Sequence, residues 1–286
     1  MPYVTVEAPG KVNLVLRVLG RRDDGFHEIE SLMIGVGLCD RLVFEEAPGH
    51  DPELECRSPT VPAGEANLVC RAARALAARL DRPAGCRIRL EKRIPIGGGM
   101  GGGSSDAAAA LIGLNRLWRA GLSSDALAEL GAELGSDVPF FFDLPSAIVS
   151  GRGEQVRPVR LGWKGWLALV MAGVEVSTRQ VYERCVPAGA GEGRPSLERL
   201  TKIERADGLR GRLVNELEEA VFAVAPQVER LRDILVGMGI PQVRVSGAGS
   251  VLFALYDDQK EACEMVEAIR SSRVADNAMV VEAPVS

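Results

Sequence analysis

Apolar and polar positions either alternate or recur at helical spacing along most of the chain, and the switches between the two periods mark its elements. Residues 3–7 and 12–19 read as two strands. The second sets Leu14, Leu16 and Val18 against Asn13, Val15 and Arg17, and Ala8-Pro9-Gly10-Lys11 is a turn-like break between the two. Residues 29–37 and 41–46 are further strands, and the polar, glycine-bracketed residues 20–27 form a loop. A helix rich in alanine, leucine and arginine covers 67–80. Residues 86–91 alternate again, with Ile88 and Leu90 on one face of a half-buried strand. The period then lengthens. Ala107, Leu111, Leu114 and Trp118 follow a helix for which Ser104 and Asp106 are good starting residues. Ser123 caps a second helix over 125–134, which Gly135-Ser136-Asp137-Val138-Pro139 breaks ahead of three phenylalanines.

The glycine-flanked Gly151-Arg152-Gly153-Glu154 reads as a domain boundary. Beyond it come a strand at 166–172, a short helix at 177–185 and a Gly/Pro-rich loop at 188–195. Helices over 216–224 and 228–236 follow, then strands over 243–246 and 251–256 around Gly247-Ala248-Gly249. A helix over 261–270 and a strand over 278–282 complete the pattern. Strand and helix mix in both halves, which predicts an α+β protein of two domains, 1–152 and 153–286.

The stretch between the alternating strand and the helix it feeds is Ile94-Pro95-Ile96-Gly97-Gly98-Gly99-Met100-Gly101-Gly102-Gly103-Ser104-Ser105-Asp106. Six of the seven residues from 97 to 103 are glycine, a composition suited to positive φ or to close approach of a ligand to the backbone. A strand, a glycine loop and a helix start together place free N–H groups and the positive end of a helix dipole where an anion is favoured. A flexible linker would not sit between a patterned strand and an amphipathic helix. A Walker A loop would need lysine at the helix start, where Gly103-Ser104-Ser105 has none. A dinucleotide fingerprint would need an acid ending the next strand, and Asp125 falls in a helical pattern instead. The loop is a phosphate cradle of a third kind.

Composition narrows the class further. The 286 residues are 47% apolar and 26% charged, ordinary for a globular enzyme with a full-sized core. A formal net charge of −5 argues against a general nucleic-acid binder. The six cysteines are scattered without a C-x-x-C pair, which fits neither a zinc site nor a disulfide framework. Glu7 and Lys11 precede any long apolar run, and no 18-residue apolar stretch occurs, so no signal peptide or membrane span is expected and the location is read as cytoplasmic.

The doubled glycine block resembles the central motif of the GHMP small-molecule kinases, in particular the branch that acts on a cytidine diphosphate-linked methylerythritol. Two other stretches carry the resemblance, Ala8-Pro9-Gly10-Lys11-Val12-Asn13-Leu14 with Asp24-Gly25-Phe26-His27, and Gly135-Ser136-Asp137-Val138-Pro139-Phe140. Ser246-Gly247-Ala248-Gly249-Ser250 is similar to the family's C-terminal glycine motif. The resemblance implies that Lys11 and Asp137 are catalytic, the lysine stabilising phosphoryl charge and the aspartate taking the acceptor proton. Taken alone, Lys11 reads as a surface lysine and Asp137 as the start of a turn before Pro139.

By the same resemblance Pro95, Ile96, Gly97, Gly98, Gly99, Met100, Gly101, Gly102, Gly103, Ser104 and Ser105 bind ATP. Ser104 and Ser105 would hold phosphate oxygens or a Mg²⁺-bound water, or act as plain N-caps. Asn67 and Lys92 match positions near the adenine, or are a capping and a surface residue. Asn13, Phe26, His27, Thr178 and Tyr182 are implied to contact the acceptor, with the cytosine stacked between rings. Phe26 stands where tyrosine is common in the family, which removes one hydroxyl but not the stacking.

The implied activity is ATP-dependent phosphorylation of the 2-hydroxyl of the cytidylated acceptor in non-mevalonate isoprenoid precursor biosynthesis, with ATP and Mg²⁺ as cofactors. The implied fold is the two-domain GHMP kinase fold, ribosomal protein S5 domain 2-like in the N-terminal half and ferredoxin-like in the C-terminal half. The expected partner is that small molecule, with neither nucleic acid nor membrane, and the expected state is a monomer or weak homodimer.

Overall fold

The structure, a computed structural model, describes residues 3–58, 61, 62, 64–187, 189 and 194–285. In chain order its first elements are strands β1 (Tyr3–Arg21), β2 (His27–Glu46) and β3 (Pro52–Cys56), helix α1 (Leu68–Arg79) and strand β4 (Cys86–Glu91). Helices α2 (Gly102–Leu117) and α3 (Ser124–Leu134) follow, then a 3₁₀ turn at Pro139–Phe142 and strands β5 (Ser146–Gly151), β6 (Gln155–Pro158) and β7 (Gly165–Met171). Next come α4 (Thr178–Arg184), α5 (Leu197–Leu200), α6 (Ala206–Arg210), β8 (Val214–Asn215), α7 (Glu218–Val224) and α8 (Pro226–Gly237). The last are β9 (Arg244–Val245), β10 (Val251–Tyr256), α9 (Gln259–Ser271) and β11 (Met279–Ala283). The glycine loop predicted over 188–195 lies largely outside the described residues.

The chain divides into two compact units that do not follow its linear halves. The first takes the residues up to Gly10, Leu38–Ile96 and Gly101–Asp143; the second takes Lys11–Gly37, Gly97–Met100 and everything from Leu144 on.

In the first unit the C-terminal half of β2 pairs antiparallel with β4, and β3 pairs parallel with β4. The alternation of β4 is realised: Cys86, Ile88 and Leu90 are buried while Arg87, Arg89 and Glu91 are exposed. The three helices pack on one another, α1 on α2 and α3 on both. Phe44 of β2 is wholly buried against Gly113 of α2, where a Cβ would come within 2.3 Å of its ring. That contact lets the helix lie close to its strand.

In the second unit the N-terminal half of β2 pairs antiparallel with β5, and β5 with β6. Val15 and Leu16 of β1 pair parallel with β8. A separate antiparallel sheet has the order β11-β7-β10-β9. Its core joins Ala168, Val170, Leu252 and Ala254 to Val221 and Phe222 of α7, Val228 and Leu235 of α8 and Ile269 of α9. The segment Gly151-Arg152-Gly153-Glu154, expected as a boundary, is the turn of the β5–β6 hairpin inside this unit, with the Glu154 carboxylate accepting from Arg152 N at 2.8 Å.

Two sequence expectations are corrected. The break at Ala8–Lys11 does not exist, because β1 runs unbroken from Tyr3 to Arg21. Pro9 keeps a use for its carbonyl, which accepts from Ser105 Oγ at 2.7 Å, and sheet pairing overrides the local preference of Pro-Gly for a turn. Likewise β2 runs on through residues 38–40, which the sequence left between two strands. At Gly35 a Cβ would stand 2.6 Å from Val285 O, and Val285 N donates to Gly35 O at 3.0 Å. Gly35, inside the strand, marks a close backbone approach. β3, β5 and β6 were not anticipated.

Gly113→Ala should destabilise the protein by about 1–3 kcal/mol through overpacking against Phe44. Denaturant unfolding checks this, and an unchanged midpoint would show that the helix seat has slack.

Candidate active site

Residues two apart on a strand share a face, and β1 uses this to set Lys11 beside Asn13. Both are buried, at 4% and 2% exposure, so their polar atoms need partners. Lys11 Nζ donates to Asn13 Oδ1 at 2.6 Å, Asn13 Nδ2 donates to Ser31 Oγ at 2.8 Å, and Ser31 Oγ donates to Val15 O at 2.7 Å. This relay fixes which end of the carboxamide faces the ammonium. Ser31 was missed from the sequence, where its signal was a lone hydroxyl inside the apolar run of β2.

The phosphate loop is defined by what its carbonyls do. Gly97 O accepts from Ser250 N at 3.3 Å, Gly98 O from Val251 N at 3.2 Å, Gly99 O from Ser246 Oγ at 3.1 Å and Met100 O from Lys11 N at 2.9 Å. All four carbonyls are thus occupied, while the amides of the same residues donate to no acceptor among the described residues. Gly97, Gly99 and Gly101 have φ of +67°, +76° and +67°, with Gly98 and Met100 outside the left-handed region. Alternation of that kind makes a concavity of successive N–H groups, an anion nest. Met100, the one side chain of the block, is buried at 1% exposure and anchors it.

The C-terminal glycine motif is built into the same unit. A Cβ at Gly249 would lie 1.9 Å from Gly98 C and Gly99 N, and one at Gly99 would lie 1.9 Å from Ser246 O. Gly247, at φ +55°, offers Cβ space only 3.1 Å from Asn13 Oδ1 and 3.3 Å from Lys11 Nζ. Asn215 holds this turn: its Nδ2 donates to Val245 O at 2.9 Å and Gly247 O at 2.8 Å, and its Oδ1 accepts from Leu217 N at 3.0 Å. Asn215 was also missed. The two carbonyls it donates to are 30 and 32 residues away, and no local pattern shows them.

Of the residues expected to meet the acceptor, His27 at the start of β2 and Tyr182 on α4 come together, ring centroids 5.2 Å apart and planes tilted by 33°. Burial, and then the Arg21 charge, hold the His27 pKa below its ordinary value, so the ring is neutral at neutral pH. Phe26 is 49% exposed, with the Arg152 guanidinium 5.1 Å over its ring. Asp24 Oδ1 accepts from Phe26 N at 3.0 Å and fixes this turn. Thr178 opens α4 and is exposed, four residues before Tyr182 on the same helix face.

The first unit holds the remaining predicted residues. Asp137 is half-buried in the turn between α3 and the 3₁₀ turn. Its neighbour Val138 is fully buried, and a Cβ at Gly131 would come 2.7 Å from Val138 Cγ1. Ser104 and Ser105 do not cap α2, whose N-cap is Gly101 in left-handed conformation with no side-chain cap bond. Ser105 Oγ is turned to Pro9 O instead, leaving Ser104 as the half-exposed hydroxyl. Asn67 is the N-cap of α1, accepting from Val69 N and donating to Pro62 O, each at 2.8 Å. Lys92 is half-buried, with Asp40 and Asp106 on its ammonium. Pro95 and Ile96 are half-buried on the approach to the loop.

Comparison with known proteins gives the family. The family model for the GHMP kinases N terminal domain matches residues 67–147, and that for GHMP kinases C terminal matches residues 194–275. The class is therefore that of a two-domain GHMP kinase. The 4-diphosphocytidyl-2-C-methyl-D-erythritol kinases of Bacillus cereus and Bacillus anthracis are each 37% identical over 278 residues, covering 93% of this chain and 96% of their own. A crystal structure of 4-(cytidine 5'-diphospho)-2C-methyl-D-erythritol kinase, 35% identical, matches with a TM-score of 0.79 over 99% of this chain and 100% of its own. Homoserine kinase from Cytophaga hutchinsonii, 18% identical, shares the fold with a TM-score of 0.74 over 98% of this chain and 93% of its own. The chain belongs to the 4-diphosphocytidyl-2-C-methyl-D-erythritol kinase family of the GHMP kinases.

Gly249→Ala tests the packing of the loop. Because its Cβ would overlap the backbone of Gly98 and Gly99, ATP affinity should fall by about tenfold or more. Equal affinity in a folded variant, read by calorimetry and circular dichroism, would mean that the C-terminal motif does not shape the loop.

Proposed function

We propose that this kinase transfers the γ-phosphoryl group of ATP to the 2-hydroxyl of 4-diphosphocytidyl-2-C-methyl-D-erythritol, in non-mevalonate isoprenoid precursor biosynthesis. The observation that carries the ATP half is the loop whose carbonyls are all engaged and whose amides are not. The acceptor follows from the relatives, 37% identical over 93% of the chain.

The acceptor oxygen forms the new bond to γ-phosphorus as the bond to the β–γ bridging oxygen breaks, and the hydroxyl proton passes to the Asp137 carboxylate. Lys11 supplies fixed positive charge to the transferring group, held in place by Asn13 and, through it, Ser31. The amides of Gly97–Met100 bind phosphate oxygens. Pro95, Ile96, Gly101–Ser105, Asn67 and Lys92 complete the nucleotide side of the proposal, and Asn13, Phe26, His27, Thr178 and Tyr182 the acceptor side. No cluster of three or more His, Cys, Asp or Glu able to hold a metal occurs among the described residues. On this proposal the Ser104 hydroxyl would hold a phosphate oxygen or a Mg²⁺-bound water.

The division into domains 1–152 and 153–286 belongs to this proposal as a division of the sequence, with one matched family model inside each half, and is distinct from the two compact units. So does a cytoplasmic location. All six cysteines are free thiols, and no described helix is long and apolar enough to cross a membrane.

Asp137→Asn keeps the shape but removes the base, so kcat should fall by about 10²-fold or more while ATP binding persists. Lys11→Ala should also lower kcat. Normal turnover by the asparagine variant would remove Asp137 from the mechanism.

The acceptor assignment is tested by comparing the cytidylated substrate with free methylerythritol phosphate. The latter should be far poorer, since binding energy from the base holds the reacting end. His27 is neutral near pH 7 and charges only below its lowered pKa. KM for the cytidylated acceptor should therefore rise in acid, and this rise should vanish in His27→Gln. Equal turnover of both acceptors would reassign the substrate.

A further inference from the structure

Of the seven phenylalanines, Phe26 alone is exposed; the others are buried or half-buried. An apolar ring left in water forgoes the stabilisation that burial would give it. This one is nevertheless held in place by two neighbouring turns, both inside the second compact unit.

The first is its own turn, between β1 and β2. Arg22 N donates to Phe26 O at 2.8 Å, and Gly25 N donates to Arg22 O at 3.1 Å. The Asp24 carboxylate accepts from Phe26 N at 3.0 Å through Oδ1 and from Arg22 Nε at 3.1 Å through Oδ2. Arg22 Nη1 donates to Glu28 Oε2 at 2.5 Å, so one guanidinium ties the tip of the turn to the strand that leaves it.

The second is the β5–β6 turn. Pairing of Ile29 with Gly151 sets this turn beside the start of β2. Gly151 has φ +72°, and a Cβ there would meet the Glu154 carboxylate at 2.7 Å. Glycine therefore lets Glu154 fold back over the turn, where its Oε2 accepts from Arg152 N at 2.8 Å and stands 3.9 Å from Arg152 Nε. Arg152, braced in this way, carries its guanidinium 5.1 Å over the Phe26 ring. A planar cation is attracted to the face of an aromatic ring. One face of Phe26 is thus occupied, and the ring stays 49% exposed.

We propose that Arg152 is a positioning residue for the acceptor, which holds Phe26 by one face and so presents the other as a platform on which the base stacks. The platform rests on the reading of Phe26 as an acceptor contact. A ring fixed before binding loses less freedom when the base arrives, and that saving appears as affinity. Glu154 beside the guanidinium offsets its charge, which suits the holding of a neutral ring better than the capture of an anionic linker. Arg152 therefore acts through Phe26, and it selects for acceptors that carry a base.

Steady-state kinetics of Arg152→Met, alone and in a Phe26→Leu background, test this. Neither side chain belongs to the buried core, so both changes leave the fold in place. In Arg152→Met, KM for the cytidylated acceptor should rise about fivefold, while KM for ATP stays within about twofold. In Phe26→Leu the same change should leave KM for the acceptor within about twofold, because the ring through which the arginine acts is gone. An equal rise in both backgrounds would give Arg152 its own contact with the anionic linker and overturn the platform. A parallel rise in KM for ATP would mark a general loss of structure and overturn it as well. Wild type that turns over free methylerythritol phosphate as well as the cytidylated acceptor would overturn the acceptor reading and the platform with it. A preserved preference for the cytidylated acceptor, with its KM unchanged in Arg152→Met, would overturn the platform alone.

Discussion

The structure depends on where four backbone carbonyls go. A run of glycine carries no side chains to hold it, and its conformational freedom must be removed by hydrogen bonds from elsewhere. Here Gly97, Gly98, Gly99 and Met100 each lend their oxygen to a donor from β1 or from the Ser246–Val251 stretch. The opposite edges of these peptides are the N–H groups of Gly98, Gly99, Met100 and Gly101, which donate to no acceptor among the described residues. An anion site results from satisfying one half of the backbone and leaving the other half for the ligand. The C-terminal glycine motif has the same cause. Gly249 lies so close to Gly98 and Gly99 that no Cβ fits, and Asn215 holds that turn with two bonds from its Nδ2 while its Oδ1 accepts from Leu217 N.

Two further buried polar systems obey the same accounting. Lys11, Asn13 and Ser31 form a relay in which each donor finds an acceptor, ending on a main-chain oxygen. Asp40 accepts from two backbone amides and one ammonium. Polar groups at this depth are tolerated only when partnered. The position of each group is therefore set by its partners as much as by packing. Asp106 Oδ1 is among the buried side-chain atoms that have no hydrogen-bond partner among the described residues.

Much of this was legible in the sequence where the signal is local. The alternation of residues 86–91 is β4 without a shift, Asn67 and Ser123 cap the helices they precede, and the glycine block lies between strand and helix as its composition required. Local signals failed where long-range pairing overrode them. Pro9-Gly10 and residues 38–40 were read as lying between strands and are strand interior, since sheet pairing overrides local preference. The linear division by halves could not reveal that Lys11–Gly37 and Gly97–Met100 pack with the C-terminal residues. Ser31, Asp40 and Asn215 were silent for a related reason, as each works through partners distant in sequence. Lys92 was legible as a residue of interest, but the two carboxylates on it were not.

The central claim is that the amides of the glycine loop, made available by engagement of its carbonyls, are what hold the triphosphate. Amide resonances of glycine-labelled protein, followed as a magnesium complex of a non-hydrolysable ATP analogue is added, test it most directly. Large shifts and slowed hydrogen exchange are expected at Gly97, Gly98 and Gly99, with little change at surface glycines such as Gly20 and Gly211. Saturable binding of the analogue that leaves the resonances of Gly97, Gly98 and Gly99 where they were would contradict the account.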